Sequence, residues 1–302
     1  MTNPNHYHII YNPYASRGST RCYLDAFRAF LDAKNIKHTT YETTGSGHAT
    51  QLTRDIIANS EHGGTKYIVI MGGDGTVHEV VNGYSMGDDV VFGIIPAGTG
   101  NDVATMLNIP SSFNEIDKAT ENILKGNVKS VDLIVSENGI QSVLFFSYGM
   151  AAGVILAMAN YKKKTTISYY RALLKCVFFL KASNYDVTLD GGETRHYKAD
   201  FCAVHNCIHA GGGMHLIDTA VMDDSYLEFF VVKYRNLPRR ILNFISILRK
   251  KIHLQPNVEI VKVKSAVIKT TDNNICCVDG ENYCIDELRL EVKHKGIGVF
   301  VE

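Results

Sequence analysis

The chain has 302 residues, 45% of them hydrophobic, with 31 lysines and arginines against 31 aspartates and glutamates. That length favours about two domains, and the composition is rich enough in apolar residues to build folded cores. The balanced charge excludes a global basic field for nucleic acid and the acidic excess of a disordered chain, so charge-driven binding has to be local.

From the N-terminus, one theme recurs three times: a strand, a loop of small and polar residues, and a helix. HYHIIY leads to NPYASRG (12–18) and a helix with Tyr23, Ala26, Phe27, Phe30 and Leu31 on one face. Tyr67 to Met71 reads as a buried strand, followed by GGDGT (72–76) and a helix with Val77, Val80, Val81 and Tyr84 at helical spacing. VVFGII leads to PAGTGND and a helix with Val103, Met106 and Leu107, stopped by Pro110. Strands alternating with helices imply a mostly parallel sheet, whose loops converge on one crevice at the carboxyl ends of the strands.

Beyond a boundary near 131–138 the pattern changes to short strands divided by polar turns. VDLIV, IQSVLFFSYG, YDVTL, TRHYKADFCAV, YLEFFVVKY, VEIVKVKSAVIKT, ICCVDGENY and ELRLEVKH read as a largely antiparallel β-domain. One helix interrupts it, Pro238 to about His253, with Ile241, Leu242, Ile245 and Leu248 on one face. The expected division is 1–132 for an α/β domain and 133–288 for a β-rich domain, with a tail, 289–302, packing back on the first.

Seven cysteines, odd in number and without a Cys-x-x-Cys pair, argue for reduced thiols rather than disulfides or a zinc ribbon. The N-terminus lacks the basic start and apolar run of a signal peptide, and no stretch approaches the roughly 20 apolar residues of a membrane span. A cytoplasmic chain, at most peripheral to the inner face of the membrane, is expected.

The chemistry concentrates in the loops. Gly72, Gly73 and Gly75 remove side-chain bulk at a strand end, so a ligand can approach the backbone. Asp74 could be only a helix cap, but a cap does not need glycines on both sides. Gly98, Thr99, Gly100, Asn101 and Asp102 form a second such loop. Asp74 and Asp102 near phosphates suit hydrated Mg²⁺, which uses one or two carboxylates plus phosphate oxygens and water. Together these features read as nucleoside triphosphate handling.

GGDGT, GTGND, the opening NPYASRG and VDGE (278–281) resemble, in order and spacing, the diacylglycerol kinase catalytic family, in particular its bacterial lipid kinases. The resemblance implies a Rossmann-like nucleotide domain, an antiparallel β-sandwich domain, an active site in the cleft between them, and ATP-dependent phosphorylation of a lipid hydroxyl, foremost that of diacylglycerol. It implies ATP contacts at Asn12, Pro13, Tyr14, Ala15, Ser16, Arg17, Thr43, Gly72, Gly73, Asp74, Gly75, Thr76, Val77, His78, Glu79 and Thr99. It assigns Asp74, Asp102 and Asp132 to the catalytic Mg²⁺ network, and Glu281 to the general base with Asp279 beside it. Locally, Asp279-Gly280-Glu281 also reads as a plain hairpin turn. A structural Mg²⁺ is implied at Asp224 and the carbonyls of Val221 and Tyr226, although Ser225 replaces the family's glycine and Asp218 a common proline.

HNCIHAGGGMH (205–215) offers His205, Cys207, His209 and His215 as zinc donors, but the spacing fits no standard pattern, and a β-segment with a glycine turn is the plainer account. Residues 161–181 combine Lys162, Lys163, Lys164, Arg171, Lys175 and Lys181 with Tyr169, Leu173, Leu174, Phe178 and Phe179. As a helix this segment suits an anionic membrane surface or, equally, a core with solvated lysines. The partners expected are a lipid substrate at a membrane and, from the family, a second copy of the chain. Alternative functions are phosphorylation of phosphatidylglycerol or a sphingoid base, an NAD kinase, and a nucleotide-regulated lipid-binding protein without turnover.

Overall fold

The computed structural model describes residues 6–15, 20–59, 64–158, 161, 165–211 and 213–302. The chain divides into two units, residues 1–131 with 295–302, and residues 132–294.

The first unit contains β1 (His6–Tyr11), α1 (Thr20–Ala33), β2 (Lys37–Glu42), α2 (His48–Ala58), β3 (Lys66–Gly72), α3 (Asp74–Val81), β4 (Val90–Pro96), α4 (Asp102–Met106), α5 (Ile116–Lys125) and the start of β5 (Val128–Ser136). The strand–helix theme occurs four times here, not three. The additional unit, β2–α2, escapes a periodicity reading because KHTTYE is polar and only half covered, pairing on one side with β1. β3 and β4, by contrast, are buried almost throughout, as fits parallel strands covered on both faces. Ile9, Val69, Met71 and Ile95 on the strands pack with Phe27 and Leu31 of α1 and Ile123 of α5. Each such side chain, fully buried, contributes on the order of 1.5–3 kcal/mol.

The second unit continues with β6 (Gln141–Ser142), β7 (Phe145–Gly149), α6 (Met150–Met158), α7 (Thr166–Phe179), β8 (Ser183–Leu189), β9 (Arg195–His205), β10 (His209–Ala210), β11 (Met214–His215), β12 (Leu227–Lys233), α8 (Leu237–Leu248), β13 (Val258–Val263), β14 (Ser265–Thr270), β15 (Ile275–Val278), β16 (Glu281–Cys284) and β17 (Glu287–Phe300). The strand order β16-β15-β7-β9-β8-β14-β17 is antiparallel at every pairing, and β12 adds to β9 and β13. Phe146, Tyr148, Tyr185, Phe229, Ile268 and Leu288 lie in its core. In the first unit the end of β17 pairs in parallel with β4, giving the order β17-β4-β3-β1-β2, parallel throughout. A parallel-sheet nucleotide-type unit and an antiparallel β unit are thus both present.

Two local expectations change. VEIVKVKSAVIKT is two strands, broken at Lys264, and ICCVDGENY is a hairpin, β15–β16, turning at Asp279-Gly280. α8 ends at Leu248, and the residues around His253 form a separate 3-10 turn, Ile252–Leu254. Among the described residues no helix is long and apolar enough to cross a membrane.

Candidate active site

In the first unit, three loops meet at the carboxyl ends of β1, β3 and β4. Asn12 begins the first: its N–H donates to Met71 O at 3.0 Å, and its Nδ2 donates to Thr76 Oγ1 at 3.1 Å. The second and third loops touch through glycine. A Cβ built on Gly98 would stand 2.4 Å from Gly73 Cα, and one on Gly73 would stand 3.0 Å from Gly98 Cα, so side chains at either position would force the loops apart. Gly72 is equally constrained, since a Cβ there would meet Thr76 Oγ1 at 2.4 Å.

Asp74 is a cap, though not for its own helix: its Oδ1 accepts from the Val103 N–H at 3.1 Å, at the start of α4. Asn101, at a left-handed φ of 55°, closes the third loop by accepting from the Gly98 N–H at 2.9 Å. Asp102 follows, with 3% of its surface exposed. Gly72, Gly73, Asp74, Pro96, Asn101 and Val103 line a shallow crevice. Bare backbone, the Asp74 carboxylate and the N-terminus of α3 converge there over an apolar floor of Val77, Ile94 and Ala104, a set with room for phosphate oxygens and a hard cation at its polar side.

The other ATP candidates are distributed around this core. Pro13, Tyr14 and Ala15 follow Asn12, whose Oδ1 accepts from the Tyr14 N–H at 3.0 Å. Ser16 and Arg17 lie outside the described residues, as do Lys162, Lys163 and Lys164. Thr43 is buried just after β2 and donates its N–H to Tyr11 O at 2.9 Å. Thr99 is exposed on the third loop, and Gly75 opens α3 with Asp74. Val77 and His78 are buried. Glu79 holds α2, accepting from the Ala49 N–H at 3.1 Å on Oε2, a use of this carboxylate that the motif did not disclose.

The remaining candidates belong to the second unit. Asp132 is wholly buried, and both of its oxygens are engaged: Oδ2 accepts from the Ser225 N–H at 2.7 Å, and Oδ1 meets His294 Nδ1 at 2.8 Å. Ser225 adopts the backbone expected of the glycine it replaces, with φ 67°. At the position expected for the structural Mg²⁺, Asp224 is engaged on both oxygens: Oδ2 pairs with Lys262 Nζ at 2.5 Å, and Oδ1 accepts from the Tyr226 N–H at 3.0 Å.

Asp279 and Gly280 have φ of 50° and 98°, both positive as a type I′ hairpin turn requires. The hairpin reading and the motif therefore coexist. Asp279 is an anchor: it accepts from Ser142 Oγ at 2.5 Å and from the N–H groups of Val143, Leu144 and Phe145 at 2.9–3.1 Å. Its carboxylate is thus committed to the 142–145 segment. Glu281, the next residue after the turn, is exposed at the start of β16.

The zinc set of 205–215 is not assembled as a unit. His205 is wholly buried with its ring stacked on Phe145 and Phe201, and burial pushes its pKa down to about 3, against the pull of Asp279. Cys207 is buried, with its thiol donating to the carbonyls of Leu144 and His209.

The diacylglycerol kinase catalytic domain family matches residues 6–136, and the YegS C-terminal NAD kinase beta sandwich-like domain matches residues 146–301. The chain belongs to the diacylglycerol kinase family. Within that family it is 26% identical over 285 residues to the diacylglycerol kinase of Bacillus subtilis strain 168, covering 90% of this chain and 88% of that one. It is 28% identical over 291 residues to that of Staphylococcus aureus strain JH9, covering 90% and 85%. A solved diacylglycerol kinase structure from Bacillus anthracis strain Sterne superposes with a TM-score of 0.80 at 26% identity, covering 100% of this chain and 98% of that one. Yeast NADH kinase shares the fold, with a TM-score of 0.55 at 14% identity, covering 100% and 84%. As a diacylglycerol kinase family member the chain is a lipid kinase.

Proposed function

We propose that this lipid kinase transfers the γ-phosphoryl group of ATP to the free hydroxyl of diacylglycerol, giving phosphatidic acid. The observation that carries the donor side is the contact of two glycine loops, Gly73 against Gly98, beside Asp74 and Asp102. ATP with Mg²⁺ supplies the transferable phosphoryl group and neutralises its charge. The chain's part is positioning: the backbone of 72–76 and 98–101 holds phosphate oxygens, the Asn12–Thr76 bond keeps the first two loops together, and Asp74 and Asp102 offer the hard oxygen donors that Mg²⁺ prefers. Asp132 positions the Ser225 loop and His294. Glu281 takes the proton of the acceptor hydroxyl, and Asp279 fixes the turn that presents it.

The lipid is reached through a bilayer, and the second unit has a face suited to one. α8 packs Phe244 and Ile247 inward and also buries Arg240, Asn243 and Ser246, while Leu242 and Leu248 are 48% and 49% exposed. α7 packs against α8, burying Leu173 and Cys176 but leaving Phe178 and Phe179 outside, the latter 79% exposed. Residues 138–185 and 229–258 contain no aspartate or glutamate, while Arg171, Lys175, Lys181, Arg249, Lys250 and Lys251 are exposed on these segments. Apolar side chains among cations, on segments that carry no acid of their own, match an anionic bilayer, whereas like charge disfavours the same face on a second copy.

The test is transfer of labelled γ-phosphate, with Mg²⁺, to diacylglycerol, phosphatidylglycerol, sphingosine or ceramide in mixed micelles, with NAD as a separate acceptor. Labelled phosphatidic acid supports the proposal. Label on another lipid replaces the acceptor, and label on NAD alone contradicts the lipid reading.

A further inference from the structure

His215, in β11, keeps company that the sequence did not suggest. Its Nε2 is hydrogen-bonded to Asp218 Oδ1, and His253 Nε2 lies 2.8 Å from Asp218 Oδ2. One donor atom from each of the three residues lies within 4.8 Å of the other two. We propose that His215, Asp218 and His253 form a binding site for a divalent transition ion of the Zn²⁺ class, separate from the oxygen donors of Asp74 and Asp102.

The donor set decides the class of ion. Two imidazole nitrogens with one carboxylate oxygen suit Zn²⁺ and its first-row neighbours, whereas Mg²⁺ favours oxygen and water throughout. The three ligands come from three different places: strand β11, the loop that follows it, and the 3-10 turn Ile252–Leu254. Both imidazoles are largely covered, and the carboxylate between them is 50% exposed, so water can complete a tetrahedral shell from the open side. His209 lies directly across the β10–β11 pair, with its ring 5.2 Å from that of His215.

The simpler account is a hydrogen-bonded triad in which Asp218 accepts from both rings and no metal is involved. Both accounts tie the β10–β11 hairpin to the turn that follows α8, but a bound ion makes that tie depend on metal. Both of these elements pack on α8, the helix that carries the exposed leucines. The site therefore acts as a staple of local structure and takes no part in phosphoryl transfer.

The full-length chain, stripped with EDTA and held in excess Mg²⁺, is titrated with Co²⁺ while visible absorption is followed, and Zn²⁺ is then added as competitor. The expected result is one equivalent of Co²⁺ in a visible-absorbing site, displaced by Zn²⁺, and a higher melting temperature with Zn²⁺. Asp218→Asn and His253→Gln each weaken binding by at least about 10- to 100-fold, the loss typical of even an outer-shell partner. Melting temperatures of the metal-free variants check that both remain folded. Absence of a Co²⁺ band in the wild type overturns the proposal. Undiminished binding in both folded variants also overturns it, placing the ion on other side chains such as the exposed Cys22 and Cys284.

Discussion

At the scale of single residues, the motifs disclosed which side chains matter better than what each one does. Gly73 and Gly98 were legible as glycines that a ligand's approach requires. That each also excludes the other's Cβ is a fact of two chain segments meeting, which no local pattern contains. Gly98→Ala should therefore abolish measurable nucleotide binding in calorimetry, because the 2.4 Å contact is with backbone that cannot rotate away. Asp279 and Glu79 were hidden for the same reason: their partners, residues 142–145 and Ala49, are distant in sequence. Glu228 was not singled out at all. It is buried on β12, and burial raises its pKa to about 7, opposed by Lys262 and reinforced by Asp224. A carboxyl whose folded pKa is raised contributes stability that is complete below its unfolded value, near 4.5, and is lost as pH rises through about 7. Glu228→Gln should accordingly gain in melting temperature relative to the wild type as pH rises from 4.5 to 7, and melt higher than it at pH 8.

At the scale of elements, the buried strands and the glycine turns were the readable part. β2–α2 was missed because its strand is polar, and α8 was read correctly as amphipathic, though the sequence pattern did not say which of its side chains turn inward. That choice has a physical anchor. Arg240 turns inward to pair with Asp200 at 3.0 Å and donates to Leu180 O at 2.8 Å, while Leu242 and Leu248 of the same helix stay half exposed. Burial raises the pKa of Asp200 while Arg240 lowers it, the balance expected of a covered ion pair. Arg240→Ala should cost about 3–5 kcal/mol in denaturant unfolding, since it leaves a buried carboxylate unpaired. Leu242→Glu with Leu248→Glu should leave the melting temperature nearly unchanged, because both positions are half exposed, while reducing sedimentation with anionic vesicles. Unchanged sedimentation would contradict the bilayer assignment of this face.

At the scale of the whole molecule, the sequence motifs and the two units tell one chemical story: a parallel-sheet unit with the donor loops, and an antiparallel unit with Glu281 and the basic, apolar helices. Two groups act on the chain's stability in opposite senses and offset each other between pH 4.5 and 6.5. His205, held neutral by burial with its pKa near 3, contributes stability that is present above about 6.5 and lost as pH falls toward 3, while Glu228 acts in the opposite sense between 4.5 and 7. The central claim, that one set of loops holds ATP and a separate carboxylate activates the lipid, is tested most directly by measuring ATP affinity and phosphatidic acid formation side by side in Glu281→Gln. The account predicts unchanged affinity for ATP with transfer reduced by about 10²- to 10⁴-fold, the usual contribution of a general base. Transfer at the wild-type rate would contradict it.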